Sequence, residues 1–502
     1  MNKIVTQLNK IAREEPNKIC FKDGDFTYTY GQLKRESDTL AVLLAQRYKK
    51  NKTILIYGGM EHQMFVSYIA CMKSGHAYAP VDNQTPIDRI ELMIEVSDCE
   101  AVITWNDWPV DEKLISVITK VEAEQVMSEE LVLEKSIKPV TDDETIYIIF
   151  TSGTTGVPKG VQISYSNLIN FLEWCVSDFD FKEGDNFLAQ VPYSFDVSVM
   201  ITYSSLLMGG VLIPITKELI SDYEVLFNRL EESELDVWIS TPSFVEICLM
   251  NDDFNGSNYP NLRKFLLAGE ELKHKTASEL VKRFPNAKTY NAYGPTEATV
   301  IVTKIEITQE LLNKMDRLPI GYIKPGTDMF TMLEGKRLPD GEKGELIIAG
   351  PTVSKGYINN SEKTNEVFFD YEGTPAYHTG DAAIIEDGIV YYRGRIDFQI
   401  KFHGYRMELE DIEYHLRKNK YVKSATVVPK YKDFKVQRLV AYIIPEHHDF
   451  EKEFHLAKYI KNEMKELVME YMIPQTFIFR DELPLTQNGK IDRKHLISEV
   501  ND

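Results

Sequence analysis

Thr151-Ser-Gly-Thr-Thr-Gly-Val-Pro-Lys159-Gly160 is the stretch around which the rest of the chain can be arranged. The unbroken apolar run at 146–150 precedes it and is typical of a buried parallel strand. Apolar residues follow it at helical spacing, namely Leu168, Phe171, Leu172 and Cys175. We therefore expect a glycine-rich turn between a strand and a helix, a setting in which backbone N–H groups can surround phosphate oxygens.

Length and charge restrict the organisation and the class of protein. A chain of 502 residues is too long for a single core, so at least two domains are expected. The net charge of −20 argues against duplex nucleic acid as a partner. All of it lies before Asp397, because residues 397–502 contain 18 basic and 18 acidic side chains. The charge change predicts one domain at 1–396 and a second at 397–502.

Targeting and redox signals point to the cytoplasm. The chain has neither a signal-peptide pattern at its start nor an apolar run that approaches the roughly 18 residues needed to span a membrane. Its five cysteines are scattered and lack the spacing of metal ligands. We expect reduced, buried thiols, a cytoplasmic location and no membrane insertion.

Short buried strands alternate with helical segments through the first 300 residues. This alternation predicts an α/β fold with mostly parallel sheets and helices on their faces. A helix at 65–72 is expected to end at Gly75. The last 100 residues are expected to form a small α+β unit. The expected strands of the first part include 53–57, 101–105, 211–215, 237–240, 265–268 and 287–290.

A second motif, Asn291-Ala-Tyr-Gly-Pro-Thr-Glu297, directly follows the last of those strands. It suits a nucleotide site, with Tyr293 against adenine, Thr296 near phosphate and Glu297 offering a hard oxygen to Mg²⁺. A tight turn with an incidental acid is the alternative interpretation. A third motif, Tyr377-His-Thr-Gly-Asp381, places an acid after a Thr-Gly turn at a strand end, where it can accept hydrogen bonds from ribose hydroxyls.

These motifs, taken in order, resemble those of the adenylate-forming superfamily, which includes acyl-CoA synthetases, luciferases and amino-acid adenylation domains. Arg393-Gly-Arg395 through Glu410 and the closing Asn488-Gly-Lys490 extend the resemblance over essentially the whole chain. The resemblance implies a large N-terminal αβ domain of several subdomains and a small mobile C-terminal α+β domain, with the hinge at Asp397.

The resemblance also implies the cofactors, ATP and Mg²⁺, and a role for each site residue. Lys490 and Thr296 would be catalytic and Glu297 would hold Mg²⁺. Substrate would lie against Asp196, Val197, Met200, Ala268, Gly269, Ala292, Val300 and Ile301. ATP would be bound by Thr151, Ser152, Gly153, Thr154, Thr155, Gly156, Lys159, Asn291, Ala292, Tyr293, Asp381 and Arg395.

Within the superfamily the chain is most similar to D-alanine–carrier protein ligases and to stand-alone amino-acid adenylation enzymes. In amino-acid-activating members the residue at Asp196 pairs with the substrate ammonium. A buried carboxylate facing an uncharged acyl chain would be unfavourable, so the acyl-CoA synthetase alternative is disfavoured. The implied partner is a small acidic carrier protein whose phosphopantetheine thiol accepts the aminoacyl group.

D-alanine is the first expected substrate, although three positions depart from the pattern of those ligases. Ala268 stands for their Cys, Ala292 for a Thr and Ile301 for an Ala. Such changes are worth only about 1–3 kcal/mol each in an apolar pocket, so a larger apolar amino acid used in peptide biosynthesis stays open. The enantiomer and the oligomeric state are also open.

Overall fold

The computed structural model describes residues 2–129, 133–134, 136–152, 156–396, 399–484 and 491–501. Its helices are α1 Lys3–Glu14, α2 Tyr30–Arg47, α3 His62–Ser74, α4 Ile87–Ser97, α5 Lys120–Met127, α6 Tyr165–Asp178, α7 Val197–Leu207, α8 Lys217–Ser221, α9 Tyr223–Glu232, α10 Pro242–Cys248, α11 His274–Arg283, α12 Gln309–Lys314, α13 Ser361–Val367, α14 Leu409–Arg417, α15 Glu453–Met464 and α16 Arg493–Asn501.

Its strands are β1 Ile19–Asp23, β2 Phe26–Thr29, β3 Thr53–Gly58, β4 Ala77–Asp82, β5 Ala101–Thr104, β6 Ser116–Ile118, β7 Thr145–Thr151, β8 Lys159–Ser164, β9 Asn186–Ala189, β10 Val211–Pro214, β11 Val237–Ser240, β12 Lys264–Leu267, β13 Lys288–Tyr293, β14 Thr303–Glu306, β15 Gly321–Ile323, β16 Asp328–Leu333, β17 Lys336–Arg337, β18 Gly344–Ala349, β19 Phe368–Tyr371, β20 Thr374–Glu386, β21 Ile389–Arg395, β22 Gln399–Phe402, β23 Tyr405–Glu408, β24 Val422–Lys432, β25 Lys435–Pro445 and β26 Thr476–Phe479.

The chain divides into two compact units. One contains Met1–Asn83, Ile94–Phe150 and Gly160–Gly394, and the other contains Gln84–Met93, Thr151–Lys159 and Arg395–Asp502. Asp397 lies outside the described residues, so the hinge and the boundary at 396/397 stay predictions.

Two sheets organise the larger unit. One has the order β6-β5-β3-β4-β7-β8, and its neighbours from β6 to β7 are parallel. The second runs β17-β16-β18-β20-β21-β15-β14-β13-β12-β11-β9-β10-β1-β2, with β19 beside β20. It is parallel from β13 through β10 to β1. Beyond β13 the pairs β13–β14, β14–β15, β15–β21, β16–β17, β16–β18 and β18–β20 are antiparallel. The prediction of an α/β fold is confirmed, but the antiparallel pairs were not predicted, because local periodicity does not encode the direction in which distant strands pair.

The predicted strand and helix around residues 151–160 are both present, as β7 and α6. The predicted direct strand–turn–helix connection was wrong, because β8 lies between the loop and the helix and is the neighbour of β7 in the sheet. Ser164 caps α6 by accepting a hydrogen bond from Asn167 N–H.

Helix α3 ends as the sequence predicts. Gly75 has φ of 84°, and its N–H donates to the carbonyl of Cys71. A side chain at Gly75 would also lie 2.9 Å from the Lys138 carbonyl oxygen, so both backbone conformation and space favour glycine here.

The second unit contains a β22–β23 hairpin and the sheet β24-β25-β26, in which β24 and β25 are antiparallel and β25 and β26 parallel. Leu409, Ile412 and Leu416 of α14 are buried in a core that also contains Leu456 and Ile460 of α15. This is the small α+β unit that the sequence predicts.

Two further features of the described chain bear on function. No helix in the described ranges has the length and apolarity to cross a lipid bilayer. All five cysteines are unpaired, and four of them are buried.

His62, the first residue of α3, lies in an aromatic cluster of the larger unit. Its ring centroid is 4.4 Å from that of Tyr28, 4.9 Å from Phe26 and 5.8 Å from Phe21. Burial lowers the pKa of the imidazole to about 4, and the charge of Lys120 contributes in the same direction. The folded state therefore excludes a proton that the unfolded chain accepts below its usual pKa of about 6.5.

We expect this group to make the protein less stable as the pH falls from about 6.5 towards 4, because the unfolded state binds more protons in that window. His62→Phe keeps an aromatic ring in the cluster and should remove this part of the pH dependence. Urea unfolding of both proteins at pH 7 and pH 5 measures the difference. The exposed His495→Gln variant is the control, and equal pH dependence of His62→Phe and wild type would contradict the assignment.

Candidate functional site

The heptapeptide Asn291–Glu297 is built from the end of β13 and a 3₁₀ turn, Thr296–Ala298. Gly294 joins them, and a Cβ at this position would lie 2.5 Å from Ile301 Cα. The turn is followed by two β-branched residues with positive φ, Thr299 at 60° and Val300 at 69°. Such residues rarely occupy this region, and strain of this kind concentrates at functional sites. Thr299 is held there by donating to the Thr352 carbonyl at 2.7 Å.

Asp196 and Thr296, a hundred residues apart, are in direct contact. Asp196 is the residue that precedes α7, and the Thr296 hydroxyl donates to its Oδ2 at 2.7 Å. The predicted ammonium site and the predicted phosphate contact are therefore adjacent. Tyr147 on β7 is also nearby, since burial and then the charge of Asp196 raise the pKa of its phenol well above 10.

Glu297 is fully buried and has an identified hydrogen-bond donor. The hydroxyl of Tyr357 donates to Glu297 Oε1 at 2.8 Å, and the Glu297 carbonyl accepts from Ser354 N–H at 2.8 Å. Tyr357 was not predicted as a site residue, because a Gly-Tyr pair 60 positions away in sequence carries no signal. Its position follows from a β-bridge between Val161 and Tyr357.

Asp381 is buried and lies against the second motif, because the hydroxyl of Tyr293 donates to its Oδ2. The predicted Thr-Gly turn at a strand end was wrong. Residues 377–381 lie inside β20, where the register against β18 shifts between Glu345 and Ile347. Gly380 has φ of 68° at this bulge. A β-bulge re-aims side chains, and here it brings Asp381 to Tyr293.

The predicted substrate-lining side chains that are apolar all belong to the buried apolar core of the larger unit. Gly269, just beyond β12, has φ of 88°. Asn291 makes a structural contact, since its side-chain amide donates to the Pro319 carbonyl at 2.8 Å. The members of this extensive core that were predicted to line the substrate are Val197, Met200, Ala268, Ala292, Val300 and Ile301.

The described part of the predicted phosphate loop lies in the second unit. Lys159 Nζ is 3.1 Å from Glu408 Oε1. The Ser152 hydroxyl donates to the Arg406 carbonyl at 3.1 Å and accepts from Glu408 N–H at 3.0 Å. Arg395 ends β21 and is half-buried. The predicted residues Gly153, Thr154, Thr155 and Lys490 lie outside the described residues.

Comparisons with known proteins show which family the chain resembles. The AMP-binding enzyme family model matches residues 8–358, and the model of the AMP-binding enzyme C-terminal domain matches residues 411–490. A D-alanine--D-alanyl carrier protein ligase of Listeria innocua is 46% identical, with 99% of each chain covered. The same-named protein of Lacticaseibacillus casei is 45% identical, with 100% of each covered.

A solved structure adds a fold comparison. An adenylation domain from Vibrio cholerae in complex with glycyl-adenosine-5'-phosphate matches with a TM-score of 0.82 at 21% identity. The match covers 100% of this chain and 98% of that one. At this identity the likeness supports the fold alone.

Gly294→Ala tests whether the tight turn shapes the site. The new methyl group would lie 2.5 Å from Ile301 Cα and 2.7 Å from the Val300 carbonyl oxygen. We expect a loss of roughly 1–3 kcal/mol of stability, because backbone atoms must shift, together with weaker nucleotide binding. Thermal unfolding and nucleotide titration measure the two effects. Gly256→Ala is the matched control, since its Cβ would meet its nearest neighbour at 3.4 Å, and equal behaviour of the two variants would contradict the steric argument.

Proposed function

We propose that this chain, which belongs to the AMP-binding enzyme family, is an ATP-dependent ligase that joins D-alanine to the thiol of a carrier protein. The observation that carries the proposal is Asp196, which accepts from Thr296 and directly precedes Val197 of the buried apolar core, in a chain whose full-length relatives are named D-alanine--D-alanyl carrier protein ligases. A carboxylate beside apolar walls is suited to a small amino acid, whose ammonium supplies the opposite charge.

The reaction has two steps. A carboxylate oxygen of D-alanine attacks the α-phosphorus of ATP, forming the O–P bond of alanyl-AMP as the bond to pyrophosphate breaks. The sulfur of the carrier's phosphopantetheine then attacks the acyl carbon, forming a thioester as AMP departs and the thiol proton is lost. Both steps depend mainly on positioning and on stabilising charge.

The residues of the predicted site receive the following roles in this scheme. Asp196 binds the ammonium, Thr296 contacts the α-phosphate, and Asp381 accepts from the ribose hydroxyls. Tyr293 packs against adenine while its hydroxyl holds Asp381. Lys159 and its loop meet the departing phosphates, and Lys490 bridges carboxylate and phosphate by motif resemblance.

Glu297 fits a magnesium ion that arrives with ATP. The described residues contain no group of three or more His, Cys, Asp or Glu side chains that could hold a metal ion. Magnesium in nucleotide sites is usually held by one or two carboxylates together with substrate phosphates and water. Glu297 supplies a buried carboxylate whose orientation is set by Tyr357. Glu297 would hold the ion, with Tyr357 hydrogen-bonded to its Oε1, and the bound ion would neutralise phosphate charge.

The carrier is a small acidic protein, and we place the reaction in the cytoplasm. The thiol acceptor follows from the chemistry of alanyl-AMP and from the names of the relatives. Five unpaired cysteines suit a reducing compartment, which also supplies ATP.

The deciding experiment is pyrophosphate release with ATP, Mg²⁺ and single amino acids, with D and L forms kept separate. We expect D-alanine to give the highest kcat/KM, and Asp196→Asn to lower it by at least a hundredfold by raising KM. Asp178→Asn, on α6, is the control for loss of a carboxylate. If a larger apolar amino acid is the best substrate, we attribute the change in specificity to the small side chains of Ala268 and Ala292. If an aliphatic acid without an amino group is the best substrate, the role of Asp196 is overturned.

Tyr357→Phe tests the metal site separately. Removing the hydroxyl takes a hydrogen bond from Glu297 Oε1, so we expect Mn²⁺ binding with a non-hydrolysable ATP analogue to weaken about tenfold, the size of a hydrogen bond to a charged group. Electron paramagnetic resonance of Mn²⁺ measures this without turnover. In a Glu297→Gln background the same change should have no further effect. If the effects of the two substitutions on Mn²⁺ binding add, Tyr357 does not act on metal binding through Glu297.

A further inference from the structure

We propose that Thr296 is a shared hydrogen-bond donor through which amino-acid binding and nucleotide binding strengthen each other. The inference rests on the proposed function, because it takes Asp196 as the ammonium site and Thr296 as a contact of the α-phosphate. Its basis is the 2.7 Å hydrogen bond from the Thr296 hydroxyl to Asp196 Oδ2.

A threonine hydroxyl carries a single proton and donates to one acceptor at a time. In this structure the acceptor is Asp196. A nucleotide that binds alone has to draw this donor away from a half-buried carboxylate, which weakens its binding. Once an ammonium group is bound, its positive charge and its N–H donors offset the charge of Asp196, which weakens the bond that holds the Thr296 hydroxyl. The Thr296 proton is then available to a phosphate oxygen.

The exchange needs only a rotation of the Thr296 side chain. The backbone after Thr296 is held by the Glu297 carbonyl, which accepts from Ser354 N–H at 2.8 Å. Before Thr296 the turn lies close to Ile301, since a Cβ at Gly294 would be 2.5 Å from Ile301 Cα. Threonine has well-separated staggered rotamers, so the hydroxyl can move from one acceptor to another while the turn stays fixed.

Coupling of this kind is reciprocal. Saturating D-alanine should tighten nucleotide binding by about tenfold, and saturating nucleotide should tighten D-alanine binding by the same factor, within the usual range for coupled sites. Through its hydroxyl, Thr296 is a positioning residue for both substrates. Removing the hydroxyl should therefore reduce the extent to which each ligand changes the affinity for the other.

Isothermal titration with Mg²⁺ and α,β-methylene-ATP tests the proposal, because this analogue cannot release pyrophosphate. The dissociation constant of the analogue is measured with and without D-alanine in wild type, Thr296→Ser and Thr296→Val. Wild type and Thr296→Ser should show the tenfold effect, whereas Thr296→Val, which has nearly the same shape and no hydroxyl, should show less than twofold. Melting temperatures within a few degrees of wild type establish that Thr296→Val is folded.

Two results would overturn the coupling. One is equal coupling in Thr296→Ser and Thr296→Val. The other is a loss of nucleotide affinity in Thr296→Val that is the same with and without D-alanine, since this would make Thr296 a nucleotide contact only. Should Thr296→Val not fold, Thr296→Ala replaces it, with the same outcomes.

Failure of the proposed function has a different signature. D-alanine would then produce neither binding heat nor pyrophosphate release in wild type, and the inference would fall with it. Failure of the coupling alone leaves both signals intact and removes only the dependence of one affinity on the other ligand.

Discussion

The site depends on three largely buried carboxylates that are each fixed by a hydroxyl group. Asp196, Glu297 and Asp381 each accept a hydrogen bond from a neutral hydroxyl, given by Thr296, Tyr357 and Tyr293 respectively. A hydroxyl orients a carboxylate oxygen without itself bringing a positive charge to it. The ammonium and the magnesium ion that these carboxylates are proposed to bind would bring positive charge to the site.

Two of these hydroxyls and one of the carboxylates come from a single heptapeptide, Asn291–Glu297. This close spacing explains why the backbone there and just after it has an unusual conformation. Tyr293 lies at the end of β13, and Thr296 and Glu297 follow after one Gly-Pro pair. Fitting them requires a turn at Gly294 and two β-branched residues at positive φ. The strain is balanced by buried contacts of the neighbours, such as the bond from Thr299 to Thr352.

The parts of the fold that were predictable are those with continuous apolar runs or a special backbone requirement. Strand β7 and the end of α3 at Gly75 are of this kind. Strand β8 was missed because Lys159–Ser164 begins with lysine and glycine directly after a glycine-rich loop, and only Val161 and Ile163 give the alternation of a strand. Tyr357 was beyond sequence reasoning for another reason. Its contact with Glu297 depends on long-range packing, which local periodicity does not encode.

The proposed function separates two kinds of selectivity. Recognition of the ammonium by Asp196 would discriminate strongly, because an acid without that group would forgo a charge-assisted bond to this carboxylate. Recognition of the side chain would be weaker, since a methylene group against Ala268, Ala292 or Ile301 would change binding by only about 1–3 kcal/mol. On this proposal the class of substrate is set by one electrostatic contact. The choice among apolar amino acids would then rest on several small packing differences, at the positions where the sequence of this chain is expected to differ from the D-alanine ligases.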